Sequence, residues 1–556
     1  MRRKILSLGL LAAWAALAQP EAARLEAAYR RLDEFIERQM RESGTPGMAV
    51  GLTNRAGLLR VSTHGFANLE SRAPVRPETL FEIGSISKSF TAIAVLLMRE
   101  ARGLDLDAPP SKYLPWFKVR SSHPPLAIRH LLSHTAGLPR DRDDLGSTPY
   151  TTVALAERAT GFAPGTRFAY SNVGYQVLGY VLEAVSRETY AQTIRGRILD
   201  PLGMQATEPV ITHETRRRLA TGYSAYYDDR PAHRSHGLAP APWLEYGQAD
   251  GSIASTAGDM AAYLRMLLHR GAGPAGRVLS LEAFQLLTQR AITTGGGGFY
   301  GFGMGVRQTD GHTVLSHSGG MIGYAADLAG DLDAGVGVVA LTNGPGSPSA
   351  VTRFALRVLR AAVQGKDPPP LPASDPPERV VNAADYAASY AAPGGKKLVL
   401  AAAGDRLVLE HRGQQIVLER HGSDAFYANH ADFALYLLRF ARQKGAVVEA
   451  SHGPDWYAKD SYAGPREFHP PAAWKAYPGH YRTQNPWFSN FRVVLRKGQL
   501  WMVRSGGGEG ALTEIEPGVL EAEGRPGEQL RLDTVINGQA LRANFSGVDF
   551  YRTFTP

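Results

Sequence analysis

Cysteine is absent from the 556-residue sequence. The chain therefore has no disulfides and cannot be lipidated on an N-terminal cysteine, so its stability must come from packed cores. No basic run longer than three residues occurs beyond the N-terminus. Lys and Arg exceed Asp and Glu by 61 to 52, a formal charge of +9, but the excess is dispersed, and a nucleic-acid role has little support. No apolar run reaches the roughly 20 residues that span a bilayer. No Gly-x-Ser-x-Gly occurs, which leaves an α/β-hydrolase nucleophile turn unsupported. The glycine-rich "TTGGGGFYGFG" lacks the lysine of a phosphate-binding loop and the frame of a dinucleotide site, and reads as a flexible turn.

What remains is an ordinary globular composition, 44% apolar and 20% charged, on a chain too long for one core. Two or three domains are expected. "MRRK", the apolar "ILSLGLLAAWAALA" and Ala16-Leu17-Ala18 predict a cleaved signal peptide over 1–18, with an uncleaved anchor as the alternative. The expected location is outside a bacterial cytoplasm, periplasmic or secreted, without stable membrane insertion after cleavage.

A catalytic domain is expected over 22–364. Leu25, Tyr29, Leu32, Ile36 and Met40 recur at helical spacing. "MAVGLTNRAGLLRVSTHGFAN" predicts two strands turning near Ala56-Gly57. Helices and loops fill the middle, and strands return in "FGMGVRQ", "HTVLSHSG", "YAADLAGDL" and "GVGVVALTN" before a closing helix, "SAVTRFALRVLRAAV". This pattern predicts an α+β sheet domain with a helical insertion. Six prolines between Pro368 and Pro377 mark a stiff linker over 365–380.

The remainder is β-rich and repeats itself. Tyr386-x-x-x-Tyr390 returns as Tyr477-x-x-x-Tyr481, "LVLAAAGDRLVL" as "RVVLRKGQLWMV", and "GPDWYA" as "GVDFYR", at offsets of 91 to 94 residues. Two all-β barrel modules, 381–465 and 472–556, are expected, with two halves of one barrel as the alternative. Their role reads as structural or substrate-gating.

The chemistry is concentrated in three short motifs. In "FEIGSISKSF", Ser85 precedes Lys88 by one helical turn, so both share a face. If Gly84-Ser85 opens a helix, free amides and the positive dipole end favour developing negative charge at Ser85. A lysine on that first turn would be desolvated, which favours an amine able to accept a proton and so to activate a serine nucleophile. Ser87 and Ser89 should point elsewhere and be dispensable. Alone, this motif reads better as a capping serine with a solvated lysine. "FAYSNVGYQVLGY" adds Tyr170 and Asn172, which extended backbone turns the same way. The phenol can relay a proton and the amide can orient a substrate carbonyl. "VLSHSGGMIGY" supplies His317-Ser318-Gly319 and Gly320, where glycines admit substrate close to the backbone. The amides of Ser85 and Gly320 are the natural oxyanion donors.

In this order, the motifs resemble those of the serine β-lactamase and penicillin-binding-protein superfamily. "PVRPETLFEIGSISKSFTAIAVL", "IRHLLSHTAGLPR" and "DGSIASTAGDMAAYL" are similar to its class C branch over roughly residues 30 to 363. The resemblance implies a sheet flanked by helices, with the site between the sheet and a helical domain. It also implies Ser85 as acylated nucleophile, Lys88 and Tyr170 sharing the acid and base roles, and Asn172, His317, Ser318 and Gly319 at the substrate.

His317 stands where many β-lactamases carry a lysine. A mostly neutral histidine there favours carboxylate-bearing substrates less. The His-x-Gly form followed by tandem β modules resembles D-aminopeptidases and related esterases, whose trailing domains look like lipocalin-type barrels. The expected function is an exported serine hydrolase, peptidase or esterase, acting on a small molecule or short peptide. The alternatives are a β-lactamase and a penicillin-binding sensor that acylates and stalls. No cofactor or metal is implied. His233-Arg-Ser-His236 lacks a nearby acidic partner and reads as a loop.

Overall fold

The computed structural model describes residues 5–140, 148–157, 159–523, 528–545 and 547–554, with side chains of the first helix from Arg24 onward. The side chains of the expected signal segment, 1–18, lie outside the described residues. No described helix is long and apolar enough to cross a membrane.

Chain packing divides the described residues into two units, and Leu371 ends the first of them. The first is built on an antiparallel sheet of nine strands: β1 (Gly47–Asn54), β2 (Leu58–Asn68), β3 (Ala73–Pro74), β4 (Ile292–Gly295), β5 (Gly298–Tyr300), β6 (Gly305–Thr309), β7 (His312–Met321), β8 (Tyr324–Asp331) and β9 (Val336–Thr342). Their order is β4-β5-β6-β7-β8-β9-β1-β2-β3, so the N-terminal hairpin completes a sheet begun by the late strands. The β1–β2 turn falls where the sequence places it. Central β9, "VGVVALT", is buried at every position, which explains its continuous apolar run: both faces of the sheet are covered.

Two helices cover one face. α1 (Ile5–Ser43) places Leu32, Phe35 and Ile36 against the sheet, and Phe35 meets Phe354 of the closing helix, 4.5 Å between ring centroids. The other face carries α4 (Ala257–Leu268), whose Leu264 packs over Gly330 and Gly337, 3.4 Å from where a Cβ at either position would lie. The helical middle packs around α2 (Ser87–Arg102) and α3 (Asn172–Ser186), and α5 (Ser349–Val363) closes the unit as the sequence predicts. α2 buries eleven of its sixteen residues and ends at Gly103 in the left-handed conformation.

The second unit joins Ala225–Gly237 to Pro372–Pro556 and contains two separate closed antiparallel barrels of eight strands each. The first runs from Ala388–Ala391 to Asp455–Ala458 and the second from Gly479–Arg482 to Val548–Thr553. The sequence repeat is a structural repeat: Tyr390 Oη donates to the Tyr386 carbonyl, and Tyr481 Oη to the Tyr477 carbonyl, each at 2.7 Å. Apolar side chains fill both barrels. The loop Ala225–Gly237 binds to this unit through charge. His233 Nε2 lies 3.1 Å from Glu419, Arg492 Nη2 lies 3.5 Å from Asp229, and Arg234 pairs with Glu378. His233 thus has an acidic partner, 186 residues away in sequence and invisible to local spacing.

Candidate active site

A left-handed glycine turn places the nucleophile candidate. Phe81–Glu82 pairs with Ala254–Ser255, and Ile83 N–H donates to the Ile253 carbonyl. The chain then turns through Gly84 at φ +51°, where a side chain would come within 2.6 Å of the Gly320 carbonyl. Gly84–Ile86 form a 3₁₀ turn that runs straight into α2. Ser85 therefore sits in that turn, with α2 starting at Ser87, two residues later than a helix opened by Gly84-Ser85. The first-turn amides still lack intrahelical acceptors.

Lys88 is fully buried. Its Nζ lies 3.1 Å from Ser85 Oγ and donates to the Asp250 carbonyl at 2.7 Å. The faces of Tyr170 and Tyr175 lie 5.0 and 5.7 Å from it. Among the described residues it forms no ion pair, so its partners are neutral oxygens and ring faces. Ser87 and Ser89 bond to groups other than Ser85. Ser87 Oγ accepts from Ile253 N–H, while Ser89 Oγ accepts from Tyr263 Oη and donates to the Ile86 carbonyl.

Tyr170 approaches through its ring. It packs on His134 at 4.1 Å between centroids and lies under Lys88 Nζ and the Arg140 guanidinium. Asn172 is the first residue of α3. The cap is Ser171, whose Oγ accepts from Gly174 N–H and donates to the Pro139 carbonyl.

β7 brings the third motif in. Its alternation separates the motif's residues. Gly319 faces the nucleophile turn so closely that a Cβ there would overlap the Ile83 carbonyl and lie 3.2 Å from Ser85 N. His317, two residues earlier on the same face, is buried. Ser318 is on the opposite face, and its Oγ donates to Asp327 Oδ1 at 2.6 Å, a carboxylate also bonded by Thr352 of α5. The structure thus brings Ser85, Lys88, Tyr170, His317, Gly319 and Gly320 together and turns the Ser318 hydroxyl away from them.

The protonation of His317 follows from its neighbours. Its Nδ1 lies 2.7 Å from the Ser318 carbonyl, which can only accept, so Nδ1 carries the proton. Nε2 then accepts from Tyr300 Oη at 3.0 Å. Burial, with Lys88 adding to it, pushes its pKa down to about 4, so the ring is neutral at physiological pH.

Three residues at the centre escaped the sequence reading: His134, Tyr175 and Tyr300. The glycine-rich stretch is a hairpin of the sheet, with Gly295, Gly296 and Gly297 all at positive φ, and it delivers Tyr300 to His317. Tyr175 Oη donates to the Leu132 carbonyl at 2.6 Å. Close by, Glu82 is buried, and among the described residues no hydrogen-bond donor meets its carboxyl; burial pushes its pKa up to about 8. In the first barrel, donor atoms of His411, His430 and Asp432 gather, but they are engaged already. Asp432 pairs with His411 and Arg412, and His430 Nδ1 accepts from Asp432 N–H.

With this geometry in place, the relatives are informative. The Beta-lactamase family model matches residues 32–362, and the chain belongs to that family. It is 27% identical over 203 residues to Protein flp of Staphylococcus aureus, a match covering 35% of this chain and 41% of that one. The chain thus spans less than half the length of those curated relatives. A human protein described as beta-lactamase-like 1 is 29% identical over 374 residues, 62% of this chain and 72% of that one. Among solved structures, an octameric penicillin-binding protein homologue from Pyrococcus abyssi superposes with a TM-score of 0.56 at 27% identity, covering 78% of this chain and all of that one. The hydrolase EstCE1, titled as having promiscuous acyltransferase activity, shares the fold with a TM-score of 0.51 at 24% identity, covering 61% of this chain and 98% of that one. Members of this family are typically serine hydrolases.

Proposed function

We propose that the protein is an exported serine hydrolase that cleaves esters or short peptides, in the manner of a D-aminopeptidase or esterase, through an acyl-enzyme on Ser85. The observation that carries this reading is the buried Lys88 Nζ, 3.1 Å from Ser85 Oγ. As the Ser85 oxygen attacks the substrate carbonyl, Lys88 as the free amine takes its proton while still donating to the Asp250 carbonyl. The amides of Ser85 and Gly320 receive the oxyanion. Tyr170 relays the proton to the leaving group, whose bond to the acyl carbon breaks. Water then attacks the acyl-enzyme ester and gives a proton to Lys88, which passes it to Ser85 Oγ as the bond between that oxygen and the acyl carbon breaks and the acid departs.

The neutral His317 argues for substrates without a carboxylate at that position. Asn172, at the first turn of α3, is assigned to hold the substrate amide or ester.

The test is a turnover panel: p-nitrophenyl esters, D- and L-amino-acid p-nitroanilides and a chromogenic cephalosporin. Multiple turnovers on an ester or anilide, lost in Ser85→Ala, support the reading. Preferred cleavage of the cephalosporin would make the protein a β-lactamase. A single stoichiometric burst on every substrate would make it a sensor.

A further inference from the structure

His134 lies in "LLSHTAGL", just after the short helix Ile128–Leu132, and nothing in its local sequence distinguishes it from a core histidine. Its hydrogen bonds do distinguish it. Its carbonyl accepts from Ala169 N–H at 2.8 Å, and its Nδ1 accepts from Ser171 N–H at 3.1 Å. The two bonded amides belong to the residues immediately before and after Tyr170. The imidazole itself packs on the Tyr170 ring, 4.1 Å between centroids at 35°.

We propose that His134 is the positioning residue of Tyr170, clamping the backbone on both sides of it and bracing its ring beside Lys88 and Ser85. The inference rests on the reading that Tyr170 takes part in proton transfer.

Three observations favour a dedicated clamp over simple packing. First, His134 holds a left-handed backbone, φ +56°, a conformation that is unfavourable for a non-glycine residue and persists only where surroundings enforce it. Second, its tautomer is fixed. An amide N–H can only donate, so Nδ1 must be the unprotonated nitrogen and the neutral ring carries its proton on Nε2. A protonated ring would set two donors against each other at Ser171. Complete burial and the nearby Lys88, His317 and Arg140 prevent this by holding the pKa well below its usual value. Third, Nε2 is buried without a hydrogen-bond partner, among the rings of Phe168, Tyr175 and Tyr300. A phenylalanine would fill that space with no unpaired ring nitrogen at the Nε2 position but would leave Ser171 N–H without its acceptor, so the Nδ1 that accepts from Ser171 is what packing alone does not explain.

The test compares wild type, His134→Phe, His134→Asn, Tyr170→Phe and the double variant His134→Phe/Tyr170→Phe. Each is checked for folding by thermal melting. Then kcat and KM for p-nitrophenyl acetate and the labelling rate with a fluorophosphonate probe are measured. Phenylalanine keeps the ring and loses the acceptor; kcat should fall about 10- to 100-fold with KM within about twofold, the scale of a misplaced catalytic group. Asparagine tolerates positive φ and offers Oδ1 where Nδ1 stood, so it should stay within about threefold of wild type. In the Tyr170→Phe background, His134→Phe should cause no further loss, because it acts through the missing phenol.

Equal fold-losses in both backgrounds, or a His134→Phe enzyme as fast as wild type, would overturn the inference. A Tyr170→Phe enzyme of undiminished kcat would instead remove the assigned role of Tyr170, and the clamp with it. A wild type inert to both reagents would do the same through Ser85. Where His134→Phe fails to fold, His134→Ala is measured against the same background with the same criteria.

Discussion

At the scale of single residues, the site is organised by what is kept uncharged. His317 is neutral because its environment is dry and Lys88 is near, and His134 is neutral for the same reasons. Lys88 Nζ sits between these two rings and the Ser85 hydroxyl. Replacing Lys88 with methionine, which keeps volume and burial, should lower kcat by about 10²–10⁴-fold, the range of general-base catalysis, while melting changes little. Steady-state kinetics and thermal melting measured together check this. Glu82 gives a second expectation. Its folded pKa, about 8, lies above its ordinary 4.5. Between those values the native state binds more protons than the unfolded chain, so stability is present below pH 4.5 and is lost as pH rises toward 8. Glu82→Gln keeps the shape without the titration. It should melt with wild type at pH 4.5 and above it at pH 8.5, by about 2–4 °C per kcal/mol recovered. Equal melting at pH 8.5 would count against a protonated Glu82.

At the scale of elements, β7 serves two faces at once, and two neighbouring substitutions should separate them. Gly319→Ala places a methyl into the Ile83 carbonyl and beside Ser85 N, forcing β7 away from the nucleophile turn. Ser318→Ala removes the bond to Asp327 on the α5 side. The first should cost at least about tenfold in kcat/KM. The second should cost about 1–3 kcal/mol of stability through an underbonded buried carboxylate, with kcat/KM nearly unchanged. Kinetics and melting of both variants, side by side, decide it. The gathering of Ser85, Lys88, Tyr170 and His317 was legible in sequence because the first two lie one helical turn apart and the others fall within short motifs. Tyr300 was not: a glycine run reads as a turn, and only pairing in the sheet shows that the turn is a hairpin aimed at His317. His134 was illegible for a related reason, since its partners, residues 169 and 171, come from another loop. That the Ser318 hydroxyl bonds Asp327 was not readable from the motif, because period-two alternation turns adjacent residues of a strand to opposite faces and the partner lies on the next strand.

At the scale of the whole molecule, repetition made the C-terminal architecture readable. Three landmarks recurring in order required two copies of one unit, and the structure answers whether they form one barrel or two. The tyrosine pair is the shared lock of each barrel. Tyr390→Phe and Tyr481→Phe should each destabilise their own barrel by about 1–2 kcal/mol, leaving one buried carbonyl without that donor. Hydrogen exchange resolved by peptide should place each effect in one barrel. The attachment of Ala225–Gly237 to the barrel unit was not readable, because it depends on ion pairs such as Asp229–Arg492 between segments more than 200 residues apart.

The central claim is that a single acyl group passes through Ser85. It is tested most directly by quenching the protein with acid during p-nitrophenyl ester turnover and mapping the acylated peptide by mass spectrometry. The account expects the acyl mass on the peptide carrying Ser85, stoichiometric at most, and absent together with turnover in Ser85→Ala. Acylation at another residue, or undiminished turnover by Ser85→Ala, would contradict it.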